Sequence, residues 1–327
     1  MVLLCPFTMK HKKILLVFLF FIFLFSGFSF RDKEEKKTFF GFDTWIEVEL
    51  PQDSALLFPR ISSLVTHLDQ LWNRFSPRSM VFKINHSSFP LSVDEDTFRI
   101  LEEAQKGGEE TQGFFNILIA PLLDLWGFPG QPSIPGKEEI EETVDKIGKS
   151  KLHLEKESKR VFIEGEGQID LGGIAKGYLI DEIVSLLQKE RVSQALINAG
   201  GEIFALGKEI KAGVRHPREE KLLGYIIIKD EAVSTSGDYY RFFEEEGVRY
   251  HHILNPFTGY PGRDFWSVTV VSKKATLADI LSTVIMAGGR EALVVVEKNF
   301  PEIKILAVEE GGNVYLSPSM EKVFFTE

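Results

Sequence analysis

The sequence has little cysteine, little histidine and a shortage of positive charge, and each shortage excludes a class of site. Its only cysteine is Cys5, so an intrachain disulfide and a cysteine-based metal site are both excluded. The seven histidines show no HExxH spacing and the chain has no CxxC, so no zinc motif is present. The formal net charge is −10, without a basic stripe. We therefore expect no nucleic-acid partner.

Length and composition are those of a globular protein. With 327 residues, of which 44% are hydrophobic and 26% charged, the chain is long enough to bury a full core. Helical and strand-like patterns alternate without an internal repeat, which predicts a mixed α/β fold of the α+β class. Because residues 41–327 exceed the usual domain size, we expect a two-lobed single domain with a central cleft.

The N-terminus carries a targeting signal. Lysines at positions 10, 12 and 13 precede the apolar run ILLVFLFFIFLF, residues 14–25. This order is that of a signal peptide, although the apolar stretch also approaches the length of a membrane span. Residues 1–30 are therefore predicted to be a signal peptide or an N-terminal membrane anchor. Either one places the rest of the chain on the outer side of the membrane.

Periodicity gives the local elements of the predicted domain. Residues 31–40, rich in Lys and Glu, are interpreted as a charged linker. Two of the predicted helices should stop at Gly-Gly pairs, as helices often do. The predicted helices are 54–75, 93–108, 174–190 and 275–289; a hairpin is predicted at 151–165 and a strand pair at 195–207.

The stretch IDLGGIAKGY, residues 169–178, is a candidate anion site. A predicted strand ends at Asp170, two glycines follow, and a helix begins that carries Lys176 near its start. Glycines let a phosphate or metal approach the main chain, and a helix N-terminus favours anions. The stretch is neither a Walker A motif nor GxGxxG, and taken alone it is also consistent with a purely structural turn.

The stretch ATLADILST contains a candidate cation site. Asp279 and Thr283 are four residues apart on a predicted helix and so share one face. A carboxylate and a hydroxyl can hold a hard cation such as Mg²⁺, with a backbone carbonyl and phosphate oxygens completing the shell. The alternative is a solvated Asp beside a Thr that bonds to its own backbone.

The remaining candidates are turns and aromatic residues. VSTSGDYYRFF and ALINAGGEIFALG place hydroxyls and free amides at turns, where phosphate or ribose can bind. In LLDLWGF, Trp126 and Phe128 can stack on a planar ring or pack in the core.

In HHILNPFTGYP the adjacent His251 and His252 point to opposite faces of a strand, so only one of them can face a given pocket. A neutral histidine there can deprotonate a hydroxyl.

The order of these motifs resembles the FAD:protein FMN transferase family, also called the ApbE family. DLGGIAKGY, ALINAGGEIFALG, the stretch from VSTSGDYYRFF to HHILNPFTGYP, and ATLADILST follow one another as in that family. GFFNILIAPLLDLWGF looks like its segment ending in Pro-Leu-x-x-x-Trp-Gly-Phe. The resemblance covers about residues 41–320. It implies an ApbE-like fold and a Mg²⁺-dependent enzyme that splits FAD, attaches FMN to a Thr or Ser of an acceptor protein and releases AMP.

The resemblance also assigns roles to individual residues. It implies a Mg²⁺ site formed by Asp279, the Thr283 hydroxyl and the Gly173 carbonyl, and a catalytic histidine, which we take to be His252 with His251 in reserve. The residues expected to contact FAD are Phe42, Trp126, Gly127, Phe128, Asp170, Lys176, Gly200, Gly201, Ser236, Gly237, Asp238 and Ile253. The implied acceptor is a flavoprotein subunit of a membrane redox complex.

The sequence departs from the family pattern at three points and leaves two alternatives open. Phe42 replaces a Met at the expected flavin contact, while Asn116 and Asn255 replace Asp in turns. The metal-binding and hydroxyl-bearing positions remain, so we expect activity. A Mg²⁺-dependent FAD pyrophosphatase that yields FMN and AMP would use the same site. A flavin-binding protein without turnover would bind FAD and release no AMP.

Overall fold

The computed structural model describes residues 33–128 and 130–326, and Glu35–Glu327 form one compact unit. The predicted α+β single domain is confirmed. The predicted signal peptide or anchor at residues 1–30 lies outside the described residues. Within the described ranges, no helix is long and apolar enough to cross a membrane.

Seven α-helices and sixteen strands are found in the described part of the chain. The helices are α1 Phe58–Trp72, α2 Met80–Asn85, α3 Glu95–Glu110, α4 Ala120–Leu125, α5 Lys137–Lys149, α6 Ala175–Lys189 and α7 Ala275–Asn299. The strands are β1 Glu34–Gly41, β2 Thr44–Pro51, β3 Leu91–Ser92, β4 Lys151–Glu155, β5 Arg160–Glu164, β6 Ala195–Ala199, β7 Glu202–Leu206, β8 Ile210–Arg215, β9 Leu222–Ile228, β10 Glu231–Gly237, β11 Phe242–Glu245, β12 Val248–His251, β13 Phe265–Ser272, β14 Lys304–Glu309, β15 Val314–Leu316 and β16 Phe324–Phe325.

An eight-stranded sheet in the order β1-β2-β6-β7-β10-β13-β14-β15 is the centre of the fold. Helix α7 packs on β10 and β13 on one face. The three-stranded sheet β16-β9-β8 covers the opposite face through a second apolar cluster. Strand β13 is therefore buried on both faces, which is why its sequence FWSVTVVS is nearly continuous in apolar and small residues rather than alternating.

The structure corrects the prediction of a charged linker at residues 31–40. Residues Glu34–Gly41 are strand β1, the edge strand that pairs with β2. Phe39 packs on Phe58, whereas Lys36 on the exposed surface forms an ion pair with Glu47. Charged side chains are common on edge strands because they discourage pairing with other chains. The same charges make the segment resemble a linker in the sequence.

Two predicted helix ends also differ from the structure. Helix α3 continues past Gly107 and Gly108 to Glu110. Gly107 is a packing position and not a helix stop, since a Cβ there would lie 3.1 Å from Ile280. In α7 the predicted helix end at residue 289 coincides with a break, since Gly289 has a φ of 63° and interrupts the helical geometry. A second helical segment follows it as far as Asn299.

Helices α6 and α7 approach each other at a single glycine. A Cβ at Gly177 would lie 2.5 Å from the carbonyl oxygen of Ala275 at the start of α7. From α6, Asp181 accepts hydrogen bonds from the backbone N–H groups of Ala275 (2.9 Å) and Thr276 (3.0 Å). It thus caps α7 from outside, since the N-cap residue Lys274 provides no side-chain bond. These contacts fix α7 against α6.

We expect Gly177→Ala to lower the free energy of unfolding by about 1–3 kcal/mol, the usual cost of overpacking a close contact. The matched control is Gly148→Ala in α5, where no described heavy atom lies within 4 Å of the added Cβ. That variant should be unchanged, or more stable by up to about 1 kcal/mol, since Ala favours helix. Urea unfolding of both proteins makes the comparison. Equal stability of the two variants would contradict the close contact.

Candidate functional site

The Gly172–Gly173 loop at the start of α6 is held by ion pairs. The Asp170 carboxylate accepts the Gly172 N–H at 2.8 Å with one oxygen and lies 2.8 Å from Arg74 Nε with the other. Arg74 also donates to both oxygens of Asp124 at 3.1 and 2.7 Å. Asp170 is therefore already engaged, and it positions the loop instead of presenting a free carboxylate. Sequence analysis missed Arg74.

The predicted metal-binding residues Gly173 and Thr283 do meet. A Cβ at Gly173 would lie 3.2 Å from Thr283 Oγ1, so only glycine allows the main chain to come this close. Thr283 Oγ1 is 3.5 Å from Ser236 Oγ, which in turn lies 3.0 Å from Ser282 Oγ. The loop, α7 and β10 thus bring oxygen atoms together at one place.

One lysine and two carboxylates are grouped beside these oxygens. Lys176 forms an ion pair with Glu202, and its Nζ lies 3.9 Å from Asp279 Oδ1. The other oxygen of Asp279 accepts the Gly177 N–H at 3.1 Å. Both carboxylates are buried, with 5% of Glu202 and 3% of Asp279 exposed. We call this group the charged cluster.

The charged cluster contains one basic and two acidic side chains. Burial raises the pKa of Asp279 and, together with the nearby Asp279, raises that of Glu202 to about 8. Burial alone would lower the pKa of Lys176, but the two carboxylates hold it above its usual value. At neutral pH Glu202 therefore keeps its proton, so the ammonium of Lys176 faces one carboxylate rather than two. The Oε2 atom of Glu202 is buried without a hydrogen-bond partner.

This donor set fits a hard cation. Among the described residues, no three His, Cys, Asp or Glu side chains are grouped as they would be around a metal. The set predicted from the sequence instead combines the Asp279 carboxylate with the Thr283 hydroxyl and the Gly173 carbonyl. Hard cations such as Mg²⁺ accept such mixed oxygen ligands and usually keep waters or substrate phosphates as well. The Glu202 oxygen without a hydrogen-bond partner is consistent with a cation there, which would displace the proton that Glu202 otherwise keeps.

Two hairpin turns lie side by side next to the charged cluster. Gly200 and Gly201, with φ of 64° and 99°, join β6 to β7, and Glu202 follows directly. Phe42 and Asp43 join β1 to β2 with φ of 54° and 56°. A Cβ at Gly200 would lie 2.6 Å from Thr44 Oγ1, so the turns are in close contact. Such two-residue turns require left-handed residues, which glycine adopts most easily.

The Phe42 side chain is partly buried rather than free for a ligand. Its ring centroid lies 6.1 Å from that of Trp72, and its N–H donates to Asp69 at 2.8 Å. The predicted flavin contact at Phe42 stays a prediction, and only the exposed remainder of the ring is available for it. Neighbouring Asp43 forms an ion pair of 3.6 Å with Arg241.

The two histidines have different environments. His251 is 2% exposed, and both ring nitrogens are engaged: Nε2 donates to the Gly262 carbonyl at 2.7 Å, and Nδ1 accepts the Ile253 N–H at 3.2 Å. In partly buried His252, Nδ1 donates to the Arg241 carbonyl at 3.2 Å. No described residue binds its Nε2, which is left as the acceptor. The geometry therefore favours His252 as the base and gives His251 a structural position.

Three predicted contacts are packed into the core. Trp126 is fully buried, and its Nε1 donates to the Gly259 carbonyl at 2.8 Å. Phe128 is 8% exposed, and its ring lies 6.3 Å from that of His252. Ile253 is 9% exposed. Gly127, at φ 75°, allows the chain to turn against the Gln131 carbonyl. The sequence left two interpretations of Trp126, stacking on a ligand ring and packing in the core. Stacking was wrong, because the ring fills the core.

Asp238 is also committed to protein contacts. Its carboxylate is buried and receives two hydrogen bonds from Arg218, at 2.7 and 2.5 Å. Arg249 lies 3.5 Å away. At adjacent Gly237 a Cβ would lie 2.5 Å from the Tyr239 ring. This part of the predicted nucleotide-binding turn therefore supports the chain, while Ser236 faces the oxygen group at Thr283.

The structure thus joins some predicted residues and separates others. Lys176, Asp279, Gly173, Thr283 and Ser236 are grouped. His252 is linked to them through Arg241, whose carbonyl it bonds: the hydroxyl of neighbouring Tyr240 would lie 3.8 Å from a Cβ at Gly201, the residue before Glu202. Sequence analysis missed Glu202, Arg241 and Ser282, all within stretches that it singled out. Glu202 could have been identified from its position, because it immediately follows the Gly200–Gly201 turn.

We expect His252 to remain neutral well below neutral pH. Burial is the main cause that lowers its pKa, to about 4 from an ordinary 6.5, and the charges of His251, Arg241 and Lys176 act in the same direction. An NMR titration of the ligand-free protein, with His252→Asn to assign the signal, measures the midpoint. A midpoint at or above about 6 would contradict the buried environment.

Comparison with known proteins identifies the family. The model of the ApbE family matches residues 42–307, which is most of the chain. The chain belongs to the ApbE family. An ApbE-family protein of Klebsiella pneumoniae named FAD:protein FMN transferase is 32% identical over 280 residues, covering 83% of this chain and 88% of that protein. One of Treponema pallidum with the same name is 34% identical and covers 68% and 67%.

Solved structures of ApbE proteins share the fold. The ApbE protein of Thermotoga maritima has a TM-score of 0.82 and 34% identity, covering 89% of this chain and 99% of that one. The flavin transferase ApbE of Vibrio cholerae has a TM-score of 0.76 and 27% identity, with the same coverage. The predicted ApbE-like fold is confirmed, and the chain spans nearly the whole of these structures.

Proposed function

We propose that this chain is an FAD:protein FMN transferase that attaches FMN to a Thr or Ser hydroxyl of an acceptor protein and releases AMP. The observation that carries the proposal is the grouping of Lys176, Asp279 and Thr283 near a neutral histidine with a free ring nitrogen. Family membership supports it, since the relatives carry this name. The acceptor we expect is a flavoprotein subunit of a membrane redox complex.

The residues present can perform each part of the reaction. His252 Nε2 accepts the proton of the acceptor hydroxyl, whose oxygen forms a bond to the FMN phosphorus of FAD. The bond from that phosphorus to the bridging oxygen breaks, and AMP leaves. Lys176 offers positive charge to the pyrophosphate, as phosphoryl transfer requires. The N-terminus of α6 favours an anion as well, although the Gly172 N–H is already bonded to Asp170.

We include Mg²⁺ in the proposal because the oxygen ligands available here are of the kind that Mg²⁺ binds. Asp279, the Thr283 hydroxyl and the Gly173 carbonyl would hold the ion, which would neutralise pyrophosphate charge when bound. Glu202 holds Lys176 in place beside Asp279. The main chain at Gly173 lies close to Thr283, since a Cβ there would be 3.2 Å from Thr283 Oγ1.

We expect His252→Asn to slow FMN transfer by about 10²-fold or more, because a positioned general base typically contributes 10²–10⁴. Asn can still donate to the Arg241 carbonyl, so FAD affinity should change by less than about threefold. The control is His153→Asn, whose histidine is exposed on β4. AMP release and acceptor mass, measured together with FAD and Mg²⁺, give the rate. Full activity of His252→Asn would show that His252 is not the general base.

The same measurement separates the alternatives. AMP release without a mass gain on a threonine-bearing acceptor domain would indicate an FAD pyrophosphatase. Bound FAD without AMP would indicate a flavin-binding protein. A mass gain equal to FMN with matching AMP supports the transferase.

We also propose that residues 1–30 direct the chain to the outer face of the cytoplasmic membrane or the periplasm, cleaved or as an anchor. The support is the lysine-flanked apolar run at 14–25. A fusion of residues 1–40 to alkaline phosphatase, which is active only after export, tests this. A fusion that stays inactive would contradict it.

A further inference from the structure

Helix α7 carries Ser282 directly before Thr283, and the two side chains have different surroundings. Ser282 is fully buried, whereas Thr283 is partly exposed and lies against the Gly172–Gly173 loop. Two serines of strand β10, Ser234 and Ser236, approach Ser282 from the sheet. Their hydroxyl oxygens lie 3.3 and 3.0 Å from Ser282 Oγ. A row of hydroxyls therefore leads from the core to the proposed cation site.

The hydrogen bonds of Ser282 fix the direction of its proton. Ser282 Oγ donates to the backbone carbonyl of Asp279, three residues earlier in α7, at 3.1 Å. A hydroxyl has one proton and two lone pairs, so Ser282 accepts from its other two neighbours. Ser234 and Ser236 therefore both donate to it. With these three bonds the hydrogen-bonding capacity of the buried hydroxyl is filled.

The direction at Ser282 determines the direction at Thr283. Because Ser236 gives its proton to Ser282, the lone pairs of Ser236 are left to accept. Thr283 Oγ1 lies 3.5 Å from Ser236 Oγ, and within the described residues this oxygen has no other hydrogen-bond partner. The distance is long for a hydroxyl pair, as is common in ligand-free sites that tighten when substrate binds. Thr283 thus donates its proton toward β10.

This orientation suits the Thr283 hydroxyl to bind a cation. A hard cation is bound through oxygen lone pairs, and a hydroxyl proton aimed at it would repel it. With the proton directed to Ser236, the lone pairs of Thr283 Oγ1 are left for other partners. The carbonyl of Asp279 begins this ordering, and the carboxylate of the same residue is a proposed ligand of the cation.

We propose that Ser236 and Ser282 are positioning residues, which orient the Thr283 hydroxyl so that its oxygen and not its proton faces the cation. We call the path from Thr283 through Ser236 and Ser282 to the Asp279 carbonyl the hydroxyl chain. The inference rests on the proposed function, because it assumes the cation that Asp279, Thr283 and Gly173 would hold.

The test compares Ser282→Ala with Ser234→Ala. In Ser282→Ala, Ser236 loses its acceptor and is free to donate to Thr283, which turns the Thr283 proton toward the cation. Ser234→Ala also removes a buried serine hydroxyl that bonds to Ser282, but it leaves the hydroxyl chain intact. Neither residue is expected to touch FAD, since Ser282 is fully buried and Ser234 is 2% exposed.

Calorimetry of each protein measures the Kd of FAD in EDTA and at saturating Mg²⁺. The ratio of these two values should fall by about fivefold in Ser282→Ala, the usual effect of losing one hydrogen bond. In Ser234→Ala the ratio should stay within about twofold of the parent. The Kd in EDTA should be alike in all three proteins, whereas a purely structural defect would weaken FAD binding with and without the metal.

Ser236→Ala is a second variant that breaks the hydroxyl chain, because it takes the proton acceptor away from Thr283. It should lower the ratio as much as Ser282→Ala does. The double variant should be no worse than either single one, since effects within one hydrogen-bond network are not additive.

The outcomes separate this inference from the proposed function. If Mg²⁺ tightens FAD binding in the parent but the ratios of Ser282→Ala and Ser234→Ala are equal, the hydroxyl chain is overturned and the cation site stands. If Mg²⁺ does not tighten FAD binding in the parent, both are overturned. FMN transfer itself is measured independently, by AMP release and acceptor mass.

Discussion

The close approach of α6 and α7 at Gly177 is the constraint on which the site depends. It brings the Gly177 N–H to the Asp279 carboxylate, at 3.1 Å, and places Lys176 beside the same group. Burying two carboxylates with one ammonium is unfavourable unless hydrogen bonds or a further cation compensate. The helix contact fixes the three groups in place despite this cost, and the raised pKa of Glu202 is a consequence of their burial together.

Other elements around that contact supply the remaining groups of the candidate site. Strand β10 provides Ser236, the β6–β7 turn leads directly into Glu202, and the separate β11–β12 hairpin ends at His252. Arg74 bonds to Asp124, 50 residues further along the chain, and pairs with Asp170, so it links the aromatic cluster around Trp126 to the Gly172–Gly173 loop. The reacting groups thus lie on different elements, each held by contacts that do not involve a ligand.

The sequence predicts what depends on local pattern. The amphipathic helices, the 151–165 hairpin and the Gly200–Gly201 turn follow from periodicity and turn residues, and the ordered motifs identify the family. It does not predict long-range pairings. Lys176 and Glu202 are 26 residues apart in the sequence, and Gly177 and Asp279 are 102 residues apart. Strand β1 was missed because its charges, typical of an edge, also suit a linker. Trp126 was ambiguous because stacking and core packing use the same side chain.

Mg²⁺-dependent binding of FAD tests the central claim most directly. If Asp279 and its neighbours hold a cation that neutralises the pyrophosphate, calorimetry should show that Mg²⁺ tightens FAD binding by about tenfold or more, within the usual range of coupling between sites. In Asp279→Asn, which keeps the size of the side chain, the ion should change FAD affinity by less than about threefold. Equal coupling in the parent protein and in Asp279→Asn, both folded, would contradict this account of the charged cluster.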